Sequence, residues 1–264
     1  QHLHSRDLLV EKVLKVKVDI VSFDSGLFFA PGTVLNNQRL PYRVFTPFYK
    51  KIKPLLSPLY TDQSAASDGA SIKTDVKNLA SEKSLKSFNL LGEHDWHSKL
   101  HAYWQPGEED AHRLLDRFLD EAVADYETGR DIPSHDSTSQ LSPYLHFGEI
   151  TPRQILAVLW PLLSGEFGAI KANSAEVFLK QLIWREFAHN VLWHFPETAT
   201  QPMDKRYSKT FWRSSKADYE CWIKGETGVP IVDAGMKQLW QTGWMHNRVR
   251  MIVSSFLTKN LGIH

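Results

Sequence analysis

Gln181, Trp184, Arg185 and Ala188 recur at i, i+3, i+4 and i+7, so a helix through them sets all four on one face. Leu179, Leu182, Ile183 and Phe187 fill the neighbouring side. A Trp beside an Arg and a Gln offers a stacking plate flanked by hydrogen-bonding groups. A rim Trp covering a core, next to a solvated Arg, gives the same pattern. Further on, Asn247, Arg250, Met251 and Ser254 share one face, with Ile252, Val253, Phe256 and Leu257 opposite. That is either a second binding face or a polar exterior. In HDSTSQLSPYLHFG, four hydroxyl residues precede Pro143. Ser142 can cap a short helix with Pro143 at its first position, and free amides and hydroxyls there suit a phosphate; a plain capped turn reads identically.

Other chemistries find little support. His97 and His101 are spaced i, i+4, but no Cys or acidic general base accompanies them as in a zinc-binding helix, so no metal is expected. No glycine-rich phosphate loop and no Ser/His/Asp order stands out. Cys221 is the single cysteine, which excludes a disulfide framework and fits a reducing compartment. No apolar run approaches the ~20 residues needed to span a bilayer, so a soluble, cytoplasmic protein is expected. The first residue is not Met, which leaves room for an upstream targeting segment.

The net charge of +1 hides an asymmetry: from Lys180 to His264 there are 12 Lys/Arg against 7 Asp/Glu. Seven of nine tryptophans lie beyond residue 150. A basic, aromatic half suits a polyanion and a stacked ligand, although an ordinary solvated surface accounts for the charge alone equally well.

The elements that must position these residues are mostly helical. Residues 6–15 read as a helix and 16–23 alternate like a strand, together resembling the last repeat of an α/β sheet. From Pro31 to about Ser87 the chain is rich in Pro, Ser, Gly and Asp, a long connection with little core-forming pattern. From about Leu90 onward the pattern is helical. Apolar residues at 111, 114, 115, 118, 119, 122 and 123 form one continuous stripe. Thr151, Pro152 and Gln154 predict a capping box. Three more helices follow over 175–195, from Pro230 to a stop at Gly243, and over 247–260. The division expected is therefore an α/β remnant at 1–29, a linker at 30–89 and an all-helical domain at 90–264.

Five stretches, FAPGTV with YRVFTPF, TSQLSPYLHFGEITPRQI, FLKQLIWREF and KGETGVPIVDAGMKQLWQTGWMHNRVRMIVSSFL, resemble in order the photolyase and cryptochrome family. The match is to class I photolyases, which repair cyclobutane pyrimidine dimers. The resemblance implies a mainly α, FAD-binding photolyase domain after the end of an α/β antenna domain. It implies FAD held by Tyr126, Thr138, Ser139, Gln140, Leu141 and Ser142, with Phe178 flanking it and Arg250 on the flavin side. Gln181, Trp184, Arg185, Asn247 and Arg248 match the surface that receives a flipped dimer and its phosphates; Arg130 matches a further DNA contact and Met251 a position beside the dimer. Trp212 matches the outermost tryptophan of an electron relay. The implied activity is light-driven electron transfer from reduced FAD to the dimer, in a monomer that binds damaged DNA without a membrane.

This sequence departs from the family pattern in four ways. Gln181 stands where class I members commonly have Glu. Val21 stands where some members carry an acidic residue for a folate antenna, so no antenna pigment is implied. Only the last elements of the antenna domain are represented. The chain stops at LGIH, before the family's acidic flavin contacts and inner tryptophans, so this portion alone is expected to be inactive. A cryptochrome-type photoreceptor and a six-four photolyase share the resemblance. The retained Trp184 and Met251 favour dimer repair over signalling, while Gln181 is shared with six-four enzymes.

Overall fold

A computed structural model describes residues 2–16, 18, 20, 26–63, 90 and 95–264. Helix α1 spans His2–Leu14, and its Leu8, Leu9, Val10 and Val13 are exposed. The strand expected over 16–23 lies largely outside the described residues; Val16, Val18 and Ile20, which are described, are not in a strand.

Residues expected to be a bare connection contribute to the core. Helix α2 (Phe45–Ile52) leads through a 3-10 turn at Lys53–Leu55 into α3 (Leu56–Gln63). Phe28, Phe48, Ile52 and Leu56 are essentially inaccessible to solvent. The Pro- and Ser-rich composition of 31–87 as a whole masks the last three, although they fall at i, i+4 and i+8, a single helical stripe. Residues 64–89 lie outside the described residues.

The stripe after Leu90 begins as α4 (Glu108–Arg117), opened by three acidic residues in its first turn, where the helix dipole favours negative charge. It does not continue as one helix. The amide of Val123 reaches back to Phe118 O, a π-turn over Phe118–Ala122, followed by a 3-10 turn at Val123–Asp125 and α5 (Tyr126–Gly129). The inserted residue shifts the helical phase while Phe118, Val123 and Tyr126 all remain buried.

Helix α6 (Ser142–Phe147) ends at Gly148, which takes the left-handed conformation, φ 78°. Helix α7 (Pro152–Leu163) starts with the expected box: Thr151 accepts from the Gln154 amide, and Gln154 accepts from that of Thr151. Helix α8 (Ala169–His194) has 26 residues, about 39 Å at 1.5 Å per residue, and starts before the stretch its pattern announces. It is the central element, packing on α2, α5 and α7. Leu179, Leu182, Ile183 and Phe187 are buried, while Trp184 and Ala188 face outward, as the spacing required.

Two carboxylates fasten α8. Glu176 accepts from Tyr49 Oη (2.6 Å) and Lys53 Nζ (2.7 Å), tying it to α2. Glu186, 4% exposed, accepts from the amides of Phe28 (2.9 Å) and Phe29 (3.0 Å). Arg153 on α7 donates twice to Phe28 O, so both polar groups of Phe28 are held.

Helices α9 (Lys216–Lys224), α10 (Pro230–Thr242) and α11 (Asn247–Ser255) enclose a second, smaller core of Val232, Met236, Met245, Val249 and Val253. The inward stripe of α11 is Val249 and Val253, with Phe256 packed against them, so Ile252, expected inside, is partly exposed. Spacings of four and three follow the helix more closely than 252–253 can. Gly235 permits the close approach of α10 and α11: a Cβ there would lie 2.4 Å from Val249 Cγ1. Trp104 Nε1 donates to Thr242 O (2.6 Å) and joins this unit to the larger core.

Among the described residues the chain is helical with no strand, and no helix is long and apolar enough to cross a membrane.

Candidate functional site

The middle of α8 forms one wall of an open cavity of about 710 Å³. Small-molecule and cofactor sites fall in the range of ~300–1,000 Å³. Gln181, Trp184 and Arg185 line it from α8, with Phe178 a turn earlier. Tyr126 and Arg130 enter from α5 and its end, Thr138 to Ser142 from the following loop, and Asn247 from α11. Twelve residues singled out in the sequence, separated by up to 121 positions, thus meet around one space.

Local structure holds each group. Phe178 is buried against Phe118 (4.6 Å between centroids) and Tyr126 (5.4 Å). Burial pushes the Tyr126 phenol above its ordinary range. The Arg130 guanidinium lies 5.5 Å from the Tyr126 ring centroid. Trp184 is 47% exposed and stacks on Phe45 of α2 at 3.7 Å and 7°. Arg185 donates to Gly26 O and to Leu145 O (3.2 Å), and burial lowers its pKa while Glu186 works against that. Gln181 Nε2 donates to Val177 O one turn back at 2.9 Å.

The hydroxyl loop is built differently from the expected cap. Ser142 is the first helical residue of α6, not its N-cap; Leu141 holds that place and no side chain caps the helix. Gln140 has φ 54°, a left-handed conformation rare outside glycine, and donates to Asp136 at 3.0 Å. That reversal buries Leu141 while Thr138, Ser139 and Ser142 remain on the cavity wall. Gly129 is buried beneath the same loop, where a Cβ would lie 2.5 Å from Ser137 Oγ.

Three predicted residues of α11 do not line the space. Met251, 56% exposed, receives a 3.9 Å contact from Asn247 Nδ2. Arg250 is exposed on α11. Arg248 is already engaged: Nε and Nη2 both reach Asp131 Oδ1, at 2.7 and 2.6 Å. Trp212 stands apart, edge-on to His264 at 5.0 Å. Leu145, His146, Leu182, His189 and Trp244 line the cavity and were missed. His189 was within reach of reasoning, because it follows Arg185 by four on the same face. Burial and Arg185 lower its pKa. Trp244 follows the helix-stopping Gly243 inside the longest motif. Phe45 supports Trp184 from a segment expected to be a linker.

Residues 178–264 match the family model described as the FAD binding domain of DNA photolyase, and residues 2–86 match that of DNA photolyase. A deoxyribodipyrimidine photo-lyase of Agrobacterium fabrum is 38% identical over 260 residues, covering 96% of this chain and 52% of the relative. Over both matched segments the chain is similar to the photolyase and cryptochrome family. Cryptochrome-2 of Arabidopsis thaliana is 31% identical over 95% of the chain and 42% of its own length. Among solved structures, a bacterial class III photolyase from Agrobacterium tumefaciens superimposes with a TM-score of 0.79 at 34% identity, over 98% of this chain and 52% of that one. The motifs had pointed to class I; this neighbour is class III, and likeness to the family is what the two readings share. The chain spans about half the length of the curated relatives it matches.

FAD is the cofactor of the family domain matched by residues 178–264. The cavity suits such a group: aromatic and aliphatic walls at Phe178, Leu182 and Trp244 fit a flat ring, and the hydroxyls of Thr138, Ser139 and Ser142 fit a diphosphate. Val21, the position relevant to a folate antenna, lies outside the described residues. No cluster of potential metal ligands occurs among the described residues.

Proposed function

We propose that this chain is part of a light-driven DNA-repair enzyme that splits cyclobutane pyrimidine dimers. The observation that carries the reading is the shared cavity. Tyr126, Thr138 to Ser142 and Phe178, assigned to FAD, and Gln181, Trp184, Arg185 and Asn247, assigned to a flipped dimer, line one common space. Reduced FAD, when bound, supplies the photoexcited electron.

Thr138, Ser139 and Ser142 would hold the diphosphate, Phe178 would pack beside the ring system, and Arg130 would meet the DNA. Trp184, pre-oriented by Phe45, receives the extruded bases. Gln181 spends an amide hydrogen on its own helix, which leaves its carbonyl oxygen to accept from a base N–H. Asn247 faces the same space from α11. Arg185, fixed by two backbone carbonyls, keeps a positive charge on the wall and favours the phosphodiester at the lesion. A dimer stacks and pairs poorly, so extruding it costs less than extruding an intact pair, by roughly a few kcal/mol. None of these residues need donate or take a proton; the protein binds, orients and excludes water.

The test uses full-length protein with chemically reduced flavin and two defined oligonucleotides, one bearing a cyclobutane dimer and one a six-four product. Light-dependent loss of the dimer alone supports the reading. Repair of only the six-four product replaces the substrate. Repair of neither, with flavin bound, transfers the protein to the signalling branch of the family.

A further inference from the structure

His246 precedes α11 and is 2% exposed. Its Nδ1 accepts from the Arg248 amide at 3.2 Å, closing the first turn as an N-cap, while its carbonyl accepts from the Arg250 amide at 2.9 Å. Imidazole is an unusual cap, since Ser, Thr, Asp and Asn ordinarily serve. It differs in one respect: its acceptor becomes a donor when protonated. Accepting at Nδ1 requires the neutral tautomer with its proton on Nε2, and Nε2 is buried without a hydrogen-bond partner.

The surroundings oppose a second proton. Burial is the main cause that lowers the His246 pKa; Arg248 on its own helix and Arg130 beyond α5 add to it, and Asp131 works against them. No charged group of α10, packed along α11, acts on the ring. The positive end of the α11 dipole acts in the same direction as burial. Once acid does place a proton on Nδ1, two donors face each other across the cap. The first turn then loses its closure, and that turn carries Asn247, on the cavity wall, and Arg248, clamped to Asp131.

We propose that His246 is a pH-sensitive positioning residue: neutral, it caps α11 and fixes Asn247 against the substrate, and protonated, it releases that turn and weakens hold on damaged DNA. This rests on the cavity being the site that receives the dimer. A neutral ring is favoured in the folded state, so the unfolded chain takes up the proton first. Stability from the cap is complete above the ordinary value of 6.5 and is lost as pH falls below it towards the lowered folded value.

The experiment measures dark binding of full-length protein to a dimer-bearing oligonucleotide between about pH 5 and 8, by fluorescence anisotropy. Wild-type affinity should fall through the acid half of that range. His246→Asn supplies a non-titrating cap, so its affinity should match wild type at neutral pH and stay level in acid. His246→Ala should bind on the order of fivefold more weakly than wild type at neutral pH, the cost of an ordinary lost cap, and the two should converge in acid. Hydrogen exchange at the amides of residues 248–251 gives a second readout, independent of DNA. It should accelerate in acid in the wild type beyond its acceleration in His246→Asn. An acid-induced loss that persists in His246→Asn, or exchange with the same pH dependence in both proteins, overturns the proposal. Absence of any preference for the dimer at every pH defeats the proposed function instead, and the exchange measurement still decides the cap.

Discussion

Trp184→Ala tests the substrate side of the cavity quantitatively. The ring is 47% exposed and lies 3.7 Å from Phe45, nearly parallel at 7°. It is therefore held ready before any base arrives, and little ordering entropy remains to be lost on binding. Base–aromatic stacking contributes ~1–3 kcal/mol per base, so Trp184→Ala should weaken binding of a dimer-bearing oligonucleotide about 5- to 150-fold. Undamaged DNA, gripped mainly through phosphates, should bind almost as before. Phe45 stacks on Trp184 and does not line the cavity, so on the proposed function it acts on the substrate through Trp184. Phe45→Ala should cost ~0.5–1.5 kcal/mol of the same affinity, the worth of an aromatic pair. The double variant should bind no worse than Trp184→Ala alone, giving a coupling energy equal to the Phe45 effect. Anisotropy titrations in the dark with full-length protein and both oligonucleotides measure all terms, with circular dichroism confirming folding. Additive losses, or equal losses on damaged and undamaged DNA, would refute the reasoning.

Glu186→Ala strands two backbone amides and should destabilise the protein by ~2–4 kcal/mol in urea titrations, with Glu186→Gln near half of that because one oxygen still accepts. Burial raises the Glu186 pKa above its ordinary 4.5, so the folded state holds the proton more tightly than the unfolded chain does. The stability advantage of the wild type over the Glu186→Gln variant should therefore shrink as pH rises past that value, seen by repeating the titrations across pH. Gly235→Ala forces a methyl into the space occupied by Val249 and should cost ~1–3 kcal/mol, recovered in part by adding Val249→Ala, both read from thermal melts. Trp212→Phe in the full-length protein should slow photoreduction of the flavin yet leave repair intact after chemical reduction, as followed by flavin absorbance and dimer loss.

Most of this architecture is written in local patterns. The capping box at Thr151, the Gly243 stop and the apolar stripes of α4 and α8 are short-range features, and their elements follow from them. Residue faces on α8 were equally legible, because 3.6-residue spacing decides what can be adjacent. What stayed hidden depends on contacts distant in sequence. The π-turn at Phe118 leaves the apolar pattern intact while shifting its phase, so the residues read as one helix. Phe45 looks like part of a loop until α8 is beside it. Glu186 did carry a signal, since 179, 182, 183, 186 and 190 follow one helical stripe, but a carboxylate on it reads as solvated until the amides of Phe28 and Phe29 are in place. The loop from Thr138 to Ser142 was recognised by composition, and the cap was misplaced by one residue because the left-handed Gln140 leaves no mark in residue type.

On the proposed function, the clamp between Arg248 and Asp131 changes how this surface should respond to ions. A free arginine that meets a phosphate releases a condensed cation from DNA, and each such contact steepens the fall of affinity with salt by nearly one unit of log–log slope. Arg248 already carries a counter-charge of its own, so closing it onto DNA exchanges one anionic partner for another and sets Asp131 against the backbone. Its presence should then sharpen fit more than it raises general attraction, which lets the protein leave undamaged duplex readily. Removing the carboxylate would convert a selective grip into an adhesive one, with tighter hold on any DNA at low ionic strength and a slower search for the rare site that matters.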